Sequence, residues 1–224
     1  MIDQDTLIQY IALLGKGTID TLYMTFLATA FAYLFGLPLG VVLVITDKRH
    51  ILPNPKLNAA LGGIINITRS VPFIILLIAI IPFTRFVVGT SIGATASVVP
   101  LVVGATPFVA RLVETALKEA DWGTVEAAQS MGASPWEIIR KVMIPETMPS
   151  LILGFSITTI TLIGYSAMAG AVGGGGLGDI AIRYGYYRYQ KDLMILTILL
   201  LVLIVQVVQS TGSFLSRKID KKNK

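Results

Sequence analysis

The sequence contains no cysteine and only one histidine, His50. The first absence excludes disulfides and thiolate chemistry, and the second excludes a histidine-rich metal site. His50 follows Lys48 and Arg49 and is most simply a loop residue. Clustered carboxylates and metal-ligand spacings are also lacking, so no pair of nucleophile and base can be identified. A membrane enzyme is therefore a weak interpretation.

Charged residues are scarce as well. They make up 14% of the 224 residues, against 54% for hydrophobic residues, and the mean hydropathy is +0.76. Most of the chain must therefore lie in lipid, and we predict an all-α polytopic membrane protein. The net charge of +5 comes from basic residues in short loops and near the end of the chain. This distribution favours the positive-inside effect over binding to nucleic acid.

Five stretches are long and apolar enough to cross a membrane, which takes about 20 residues for a hydrocarbon core of about 30 Å. They are approximately Thr18–Ile45, Leu57–Phe83, Ser91–Leu117, Met148–Gly170 and Leu193–Leu215. Basic residues of the loop after the first span, the loop after the third span and the tail then share one side. The positive-inside effect places that side in the cytoplasm and the N-terminus outside.

We divide the chain into an external segment 1–17, a transmembrane domain 18–213 with a cytoplasmic loop 118–147, and a basic cytoplasmic tail 214–224. The start of the chain is acidic where a signal peptide would be basic, so we expect no cleaved leader. The other acidic residues lie in loops or at span ends. An ion-coupled secondary transporter usually places a carboxylate inside the membrane, and this class is therefore disfavoured.

Two regions are less regular. Residues 57–69 are too polar to face lipid, so we expect an interfacial helix before a span that begins at Val71-Pro72. Arg69 either has a structural role or contacts a solute. The glycine-rich run from Val172 to Gly178 lacks the preceding strand and the lysine of a phosphate-binding loop. We interpret it as a flexible external loop.

The loop between the third and fourth spans contains the stretch Thr124–Pro145, in which we predict two short helices. Gly132 can end the first helix in a left-handed conformation. Ser134, Pro135 and Glu137 then start the second helix as N-cap, first helical residue and capping-box partner.

In the second of these helices, the spacing places Trp136, Ile139 and Met143 on one face. It also allows Glu137 to pair with Lys141, four residues later. Pro145 is expected to stop the helix, because proline has no backbone N–H to donate.

A stripe of small and polar residues follows one face of the fourth span. Its members recur at helical spacing and are Gly154, Thr158, Thr161, Tyr165 and Met168. Such a stripe suits a solute pathway, and it suits hydrogen bonding between helices equally well.

The stretch Thr124–Pro145 resembles the EAA loop of ATP-binding-cassette (ABC) importer permeases. The matching residues are Glu126, Ala127, Ala128, Gly132, Ile144 and Pro145, with Ile144 where leucine is more usual. In that family the loop is a cytoplasmic coupling helix that docks into a groove of the ATPase subunit. The alternative is an amphipathic helix on the membrane surface.

Three further strings, 66–77, 81–93 and 164–178, are similar to the permease subunit of bacterial methionine ABC importers.

This resemblance implies a type I importer subunit in the bacterial cytoplasmic (inner) membrane. It would act as a homodimer with two copies of a cytoplasmic ABC ATPase and an external methionine-binding protein. The solute would be L-methionine and D-methionine. The chain itself would bind no cofactor and catalyse no reaction, because ATP and Mg²⁺ would belong to the ATPase. A permease for another amino acid is the closest alternative.

The resemblance also implies roles for individual residues. Trp136 would join the matched EAA residues in the contact with the ATPase. Met168 would seal the pathway against its dimer mate, because an unbranched side chain adapts its packing easily. Tyr165, Ser166, Thr161 and Thr158 would line the same pathway. Transport would proceed by alternating access, with ATP favouring one of the two states.

Overall fold

In the computed structural model, which describes residues 4–220, the secondary structure is helical and no described residue lies in a strand. The helices are α1 (Gln4–Ile45), α2 (Pro55–Ser70), α3 (Phe73–Ala79), α4 (Ile81–Val88), α5 (Ala94–Leu117), α6 (Trp122–Ser130), α7 (Pro135–Glu137), α8 (Ile144–Glu146), α9 (Met148–Gly170), α10 (Gly176–Ile180) and α11 (Lys191–Ile219). Two π-helical turns, Ile138–Met143 and Ala181–Tyr186, follow α7 and α10. The predicted all-α class is confirmed.

Four of the described helices are long and apolar enough to cross a membrane, namely α1, α5, α9 and α11. Helices α2 and α3 pass the same test as a pair that is bent by 97°. The described chain thus contains four or five candidate spans, in agreement with the prediction of about five. The predicted basic tail is described only in part, because Lys221, Lys222 and Lys224 lie outside the described residues.

The first helix is longer than the span predicted from hydropathy. It has 42 residues and begins at Gln4 rather than near Thr18, so at 1.5 Å per residue it is about 63 Å long. Leu14 is buried in a cluster with Leu177, Ile180 and Leu193. The helix therefore extends beyond the predicted span, because packing within the protein stabilises its N-terminal part.

The polar region 57–69 forms α2, so the predicted helix before Val71 is present. Its Asn58 amide donates hydrogen bonds to the Leu43 carbonyl (2.6 Å) and to Thr46 Oγ1 (3.2 Å) at the end of α1. Pro72 ends the helix, because it has no N–H to donate and disfavours helical geometry at Val71. Arg69 is exposed in the last turn.

The chain divides into two compact units, of which the first contains residues 4–30, 71–104 and 159–208. In this unit the glycine-rich run is well packed, which corrects its prediction as a flexible loop. The Leu177 N–H donates to Thr21 Oγ1 at 2.8 Å. A Cβ at Gly176 would lie 2.5 Å from the Met24 methyl group. Glycine is required there because two segments distant in sequence touch each other.

The second unit contains residues 31–70, 105–158 and 209–220. In this unit α1 packs tightly against α5. A Cβ at Gly36 would lie 2.8 Å from the Val109 side chain, and one at Gly40 would lie 2.6 Å from the Val113 side chain. Two glycines four residues apart therefore bring the two backbones together, as small residues do in membrane helices. This unit also contains the whole loop 118–147.

Candidate coupling and pathway sites

The loop begins with a capped helix. The Asp121 side chain is the N-cap of α6 and accepts a hydrogen bond from the Gly123 N–H at 3.2 Å. Val125 and Ala128 are buried, whereas Glu126 and Ala127 are exposed. The EAA-like residues thus fall on different faces of α6, with Ala128 holding the helix to its unit and the other two facing outward.

The bend after α6 has the predicted geometry. Gly132 adopts a φ of 80°, and its N–H donates to the Gln129 carbonyl at 2.9 Å. The Ala133 N–H donates to the Ala128 carbonyl at 3.1 Å. This pair of bonds forms a Schellman motif, which satisfies the last carbonyls of a helix. The left-handed glycine predicted from the sequence is confirmed.

The next helix starts with the predicted capping box. Glu137 N–H donates to Ser134 Oγ at 3.4 Å, and Ser134 N–H donates to Glu137 Oε2 at 3.1 Å. Lys141 Nζ lies 2.8 Å from Glu137 Oε1. The ammonium of Lys141, together with the backbone N–H and hydroxyl of Ser134, lowers the pKa of Glu137 to about 2. Glu137 is therefore charged at any physiological pH. Its bonds to Ser134 and Lys141 stabilise the start of this helix.

Two predictions for this helix were wrong. Ile139 and Met143 are buried, but Trp136 is 67% exposed and does not share their face. Pro145 does not stop the helix, which continues to Glu146. Both corrections follow from the π-helical turn Ile138–Met143, because a π turn shifts the hydrogen-bond register and rotates the residues on either side.

Large apolar side chains flank the bend on its outer surface. Met131 is 82% exposed and Trp136 is 67% exposed, while Ile144 is half-buried. Exposed apolar side chains grouped in this way are typical of a surface that binds another protein.

The base of the loop is closed by hydrogen bonds between its two ends. The Asp121 N–H donates to Glu146 Oε1 at 3.2 Å. The Ser150 hydroxyl, in the first turn of α9, donates to the Glu119 carboxylate. These contacts join the start of α6 to the end of α8 and to α9, so the loop is held at both ends.

An ionic network that we did not predict lies beside this base. Lys118 Nζ is 2.9 Å from Glu114 Oε1 and 3.2 Å from Asp47 Oδ2. Arg111 contacts Glu114 at 2.5 Å and the Asn66 amide oxygen at 2.9 Å. The hydrogen bond to Glu114 raises the pKa of Lys118. The Lys48 backbone N–H and then Lys118 lower the pKa of Asp47.

The N-terminal part of the α9 stripe, Gly154 and Thr158, belongs to the second unit and packs against other parts of that unit. Thr158 is fully buried, and its hydroxyl donates to the Gly154 carbonyl at 2.9 Å. A Cβ at Gly154 would lie 3.3 Å from the Tyr33 hydroxyl. The burial of Thr158 and the close approach of Gly154 to Tyr33 of α1 support the interpretation in which the stripe packs against another helix.

The C-terminal part of the stripe, from Thr161 to Met168, belongs to the first unit, and its side chains are more exposed. Tyr165 stacks on Phe73 with ring centroids 4.3 Å apart and planes nearly parallel. Met168 is 47% exposed one turn later. Thr161 is half-buried, whereas Ser166 is buried and donates to the Ile163 carbonyl at 2.7 Å. Met168 is thus the stripe residue with the most exposed side chain.

The described residues contain no group of His, Cys, Asp and Glu side chains that could hold a metal ion.

Residues 32–222 match the family described as binding-protein-dependent transport system inner membrane component. A relative from Vibrio cholerae, named probable D-methionine transport system permease protein MetI, is 53% identical over 96% of this chain and 98% of its own length. The D-methionine transport system permease protein MetI of Escherichia coli is 53% identical over 70% of this chain and 73% of its own length.

Solved structures are also similar. A chain from inward-facing conformations of the MetNI methionine ABC transporter has a TM-score of 0.93 and 49% identity, covering 94% of this chain and 98% of that one. A chain from an amino acid ABC transporter with histidines has a TM-score of 0.77 at 22% identity, covering 97% of this chain and 99% of that one. The second likeness concerns the fold alone.

Proposed function

Because the chain belongs to the family of binding-protein-dependent transport system inner membrane components, we propose that it forms the membrane pathway of an ATP-driven methionine importer. It is a multi-pass permease subunit of the inner membrane. The relatives at 53% identity are named for D-methionine transport, and a solved chain at 49% identity comes from a methionine ABC transporter. L-methionine and D-methionine are the proposed solutes.

The proposed assembly contains two copies of this chain, two copies of a cytoplasmic ATPase and an external methionine-binding protein. ATP and Mg²⁺ belong to the ATPase, and this chain catalyses no reaction. The N-terminus is external, and the loop 118–147 and the C-terminus are cytoplasmic. The positive-inside distribution of Lys and Arg supports this orientation.

The loop is the proposed contact with the ATPase. Its outer surface offers exposed Met131 and Trp136 beside a bend that two capping motifs fix. This single observation carries the coupling proposal, because a short helix with exposed apolar residues is suited to a groove on a partner. Glu126 and Ala127 face outward next to this surface. The other EAA-like residues, which are Ala128, Gly132, Ile144 and Pro145, shape the loop.

Motion of the ATPase reaches the membrane through the closed base of the loop. The bonds from Asp121 to Glu146 and from Ser150 to Glu119 join the loop to the start of α9. The loop and α9 then move together when ATP draws the two ATPases toward each other. ATP drives this change only because it binds one of the two states better.

Met168 is the proposed gate, with Tyr165 and Thr161 lining the pathway beside it. The stack of Tyr165 on Phe73 fixes the helix next to the exposed methionine. Thr158 and Ser166, which we first assigned to the lining, act through helix packing in this proposal. Met168→Ala should raise ATP hydrolysis in the absence of methionine, while Met168→Leu should keep hydrolysis coupled. Equal coupling in both variants would count against the gate.

The proposed function is tested by reconstituting this chain with its ATPase and binding protein in lipid vesicles. Uptake of labelled L-methionine and D-methionine is followed with and without ATP. We expect uptake that requires both ATP and the binding protein.

ATP-dependent uptake of another amino acid, with methionine neither carried nor competing, would keep the transporter class and reject the solute. Uptake that does not require ATP and is driven by a proton gradient would reject the ATP-driven mechanism.

A further inference from the structure

A cleft of about 580 Å³ lies in the second unit, between the loop that follows α1 and the start of α6. Its lining includes Lys48, Arg49, His50, Lys118 and Trp122. The coupling and gating contacts use none of these residues. The cleft is also strongly biased toward positive charge.

The charges around the cleft are unequally satisfied. Asp47 pairs with Lys118, Lys118 also pairs with Glu114, and Glu114 pairs with Arg111. These two carboxylates and two cations therefore largely neutralise one another. Lys48 and Arg49 are exposed and form no ion pair within the described part of the chain. Two cations thus remain available to an anion that enters the cleft.

The imidazole adds a further polar group. His50 Nδ1 is buried and has no hydrogen-bond partner among the described residues. Its ring packs edge-on against Trp122, with centroids 5.4 Å apart, which fixes its orientation in the lining. Burial lowers the pKa of His50, so the neutral ring can donate one hydrogen bond. A guanidinium, an ammonium and an N–H donor together match an anion with several acceptor oxygens, such as a phosphate.

The position of the cleft points to a lipid as the source of this phosphate. Helices α1 and α5, both long enough to span a membrane, end at Ile45 and Leu117 beside the cleft. Trp122 is 43% exposed there, as expected for an aromatic side chain at a membrane surface.

Exposed apolar side chains follow the cleft residues 47–50 in the chain. Leu52 and Leu57 are 47% and 46% exposed. Ile64 and Ile67 extend the exposed apolar face along α2, where they are 63% and 71% exposed. An acyl chain can follow this face while its headgroup stays among the cations.

We propose that this cleft binds the headgroup phosphate of an anionic phospholipid through Lys48, Arg49 and His50. Basic pockets at the cytoplasmic ends of membrane helices are suited to anionic headgroups, which are abundant in that leaflet. The assignment to the cytoplasmic leaflet rests on the proposed function. A bound headgroup holds the loop after α1, whose His50 ring packs against Trp122 at the start of α6, and so steadies the base of the coupling loop.

The experiment uses Trp122 as the reporter, because the sequence contains only two tryptophans, Trp122 and Trp136. The assembled complex, with Trp136 unchanged because it belongs to the proposed ATPase contact, is placed in lipid nanodiscs of phosphatidylcholine. A Trp122→Phe complex supplies the signal of all other tryptophans, which is subtracted. Small amounts of phosphatidylglycerol or phosphatidylcholine with brominated acyl chains are then added. Quenching of Trp122 fluorescence measures which lipid lies beside the cleft.

We expect brominated phosphatidylglycerol to quench Trp122 at about tenfold lower mole fraction than brominated phosphatidylcholine. The double variant Lys48→Gln and Arg49→Gln should abolish that preference. The control is the double variant Arg217→Gln and Lys218→Gln, which removes the same charge from exposed residues of the last turn of α11. This control should keep the preference.

Equal loss in both double variants would show a diffuse charge effect and overturn the site. A response to inorganic phosphate in pure phosphatidylcholine, without a preference for phosphatidylglycerol, would assign the cleft to a soluble phosphate. Loss of the ATPase from the Lys48→Gln and Arg49→Gln complex, with lipid quenching unchanged, would assign the cations to the ATPase. Quenching is read without transport, so failure here is distinct from failure of the transport proposal.

Discussion

Gly132 fixes the bend of the coupling loop through its backbone conformation alone. Its φ is 80°, and a Cβ there would meet no atom within 4 Å. Gly132→Val should therefore act through strain of about 1–3 kcal/mol in the left-handed region rather than through a clash. We expect methionine uptake by the reconstituted complex to fall severalfold. Gly132→Asn should retain most of the uptake, because asparagine tolerates this conformation. Equal losses in both variants would contradict this role.

Glu137 gives a second prediction at the level of single residues. Its pKa is lowered from 4.5 to about 2, first of all by the hydrogen bond from Lys141. A lowered pKa in the folded state means that the charged group stabilises the loop above pH 4.5. That contribution is lost as the pH falls from about 4.5 to about 2.

The measurement is the titration of the Glu137 carboxyl group by ¹³C NMR in the labelled complex. Lys141→Ala should move the midpoint back toward the ordinary value, while Ala at the neighbouring exposed Arg140 should leave it in place. A midpoint near 4.5 in the unmodified protein would refute the ion pair.

Structural elements whose geometry depends on residues adjacent in the chain could be predicted from the sequence. The capping box lies within the four residues from Ser134 to Glu137, and its geometry depends on little else. The face of Trp136 could not be predicted, because helical periodicity assumes regular α geometry and a π turn begins two residues later, at Ile138. The glycine-rich run was misread for another reason. Its order comes from contact with Thr21 and Met24, more than 150 residues earlier.

The α1–α5 contact yields a prediction about a pair of elements. At Gly40 a Cβ would lie 2.7 Å from the Ala110 carbonyl oxygen, which is a backbone atom. Gly40→Ala should therefore force the helices apart and cost about 1–3 kcal/mol. Gly63→Ala in α2 is the control, because a Cβ there meets no atom within 4 Å, and it should be neutral or stabilising by up to about 1 kcal/mol. Thermal unfolding in detergent measures both. Equal melting temperatures would exclude a tight contact.

At the scale of the whole molecule, transport requires that a conformational change of the ATPase be transmitted to the membrane helices. The second unit provides this continuity, since it holds both ends of the loop 118–147 and the start of α9. The sequence predicted the loop because its motifs are contiguous. It could not predict the bonds that close its base, because Glu119 and Ser150 are 31 residues apart. Nor could it predict the cleft between residues 47–50 and 118–125, for the same reason.

Opening the base of the loop should uncouple ATP hydrolysis from uptake. The double variant Glu119→Ala and Glu146→Ala removes the acceptors for Ser150 and for the Asp121 N–H. Hydrogen bonds to charged groups contribute about 1.5–3 kcal/mol each, so we expect methionine carried per ATP to fall about tenfold. Hydrolysis should stay near its normal rate, because the outer surface with Met131 and Trp136 is untouched. Asp192→Ala, which removes an exposed carboxylate at the start of α11, should leave the ratio unchanged. A parallel fall in hydrolysis and uptake would mean that these bonds assemble the complex rather than transmit its motion.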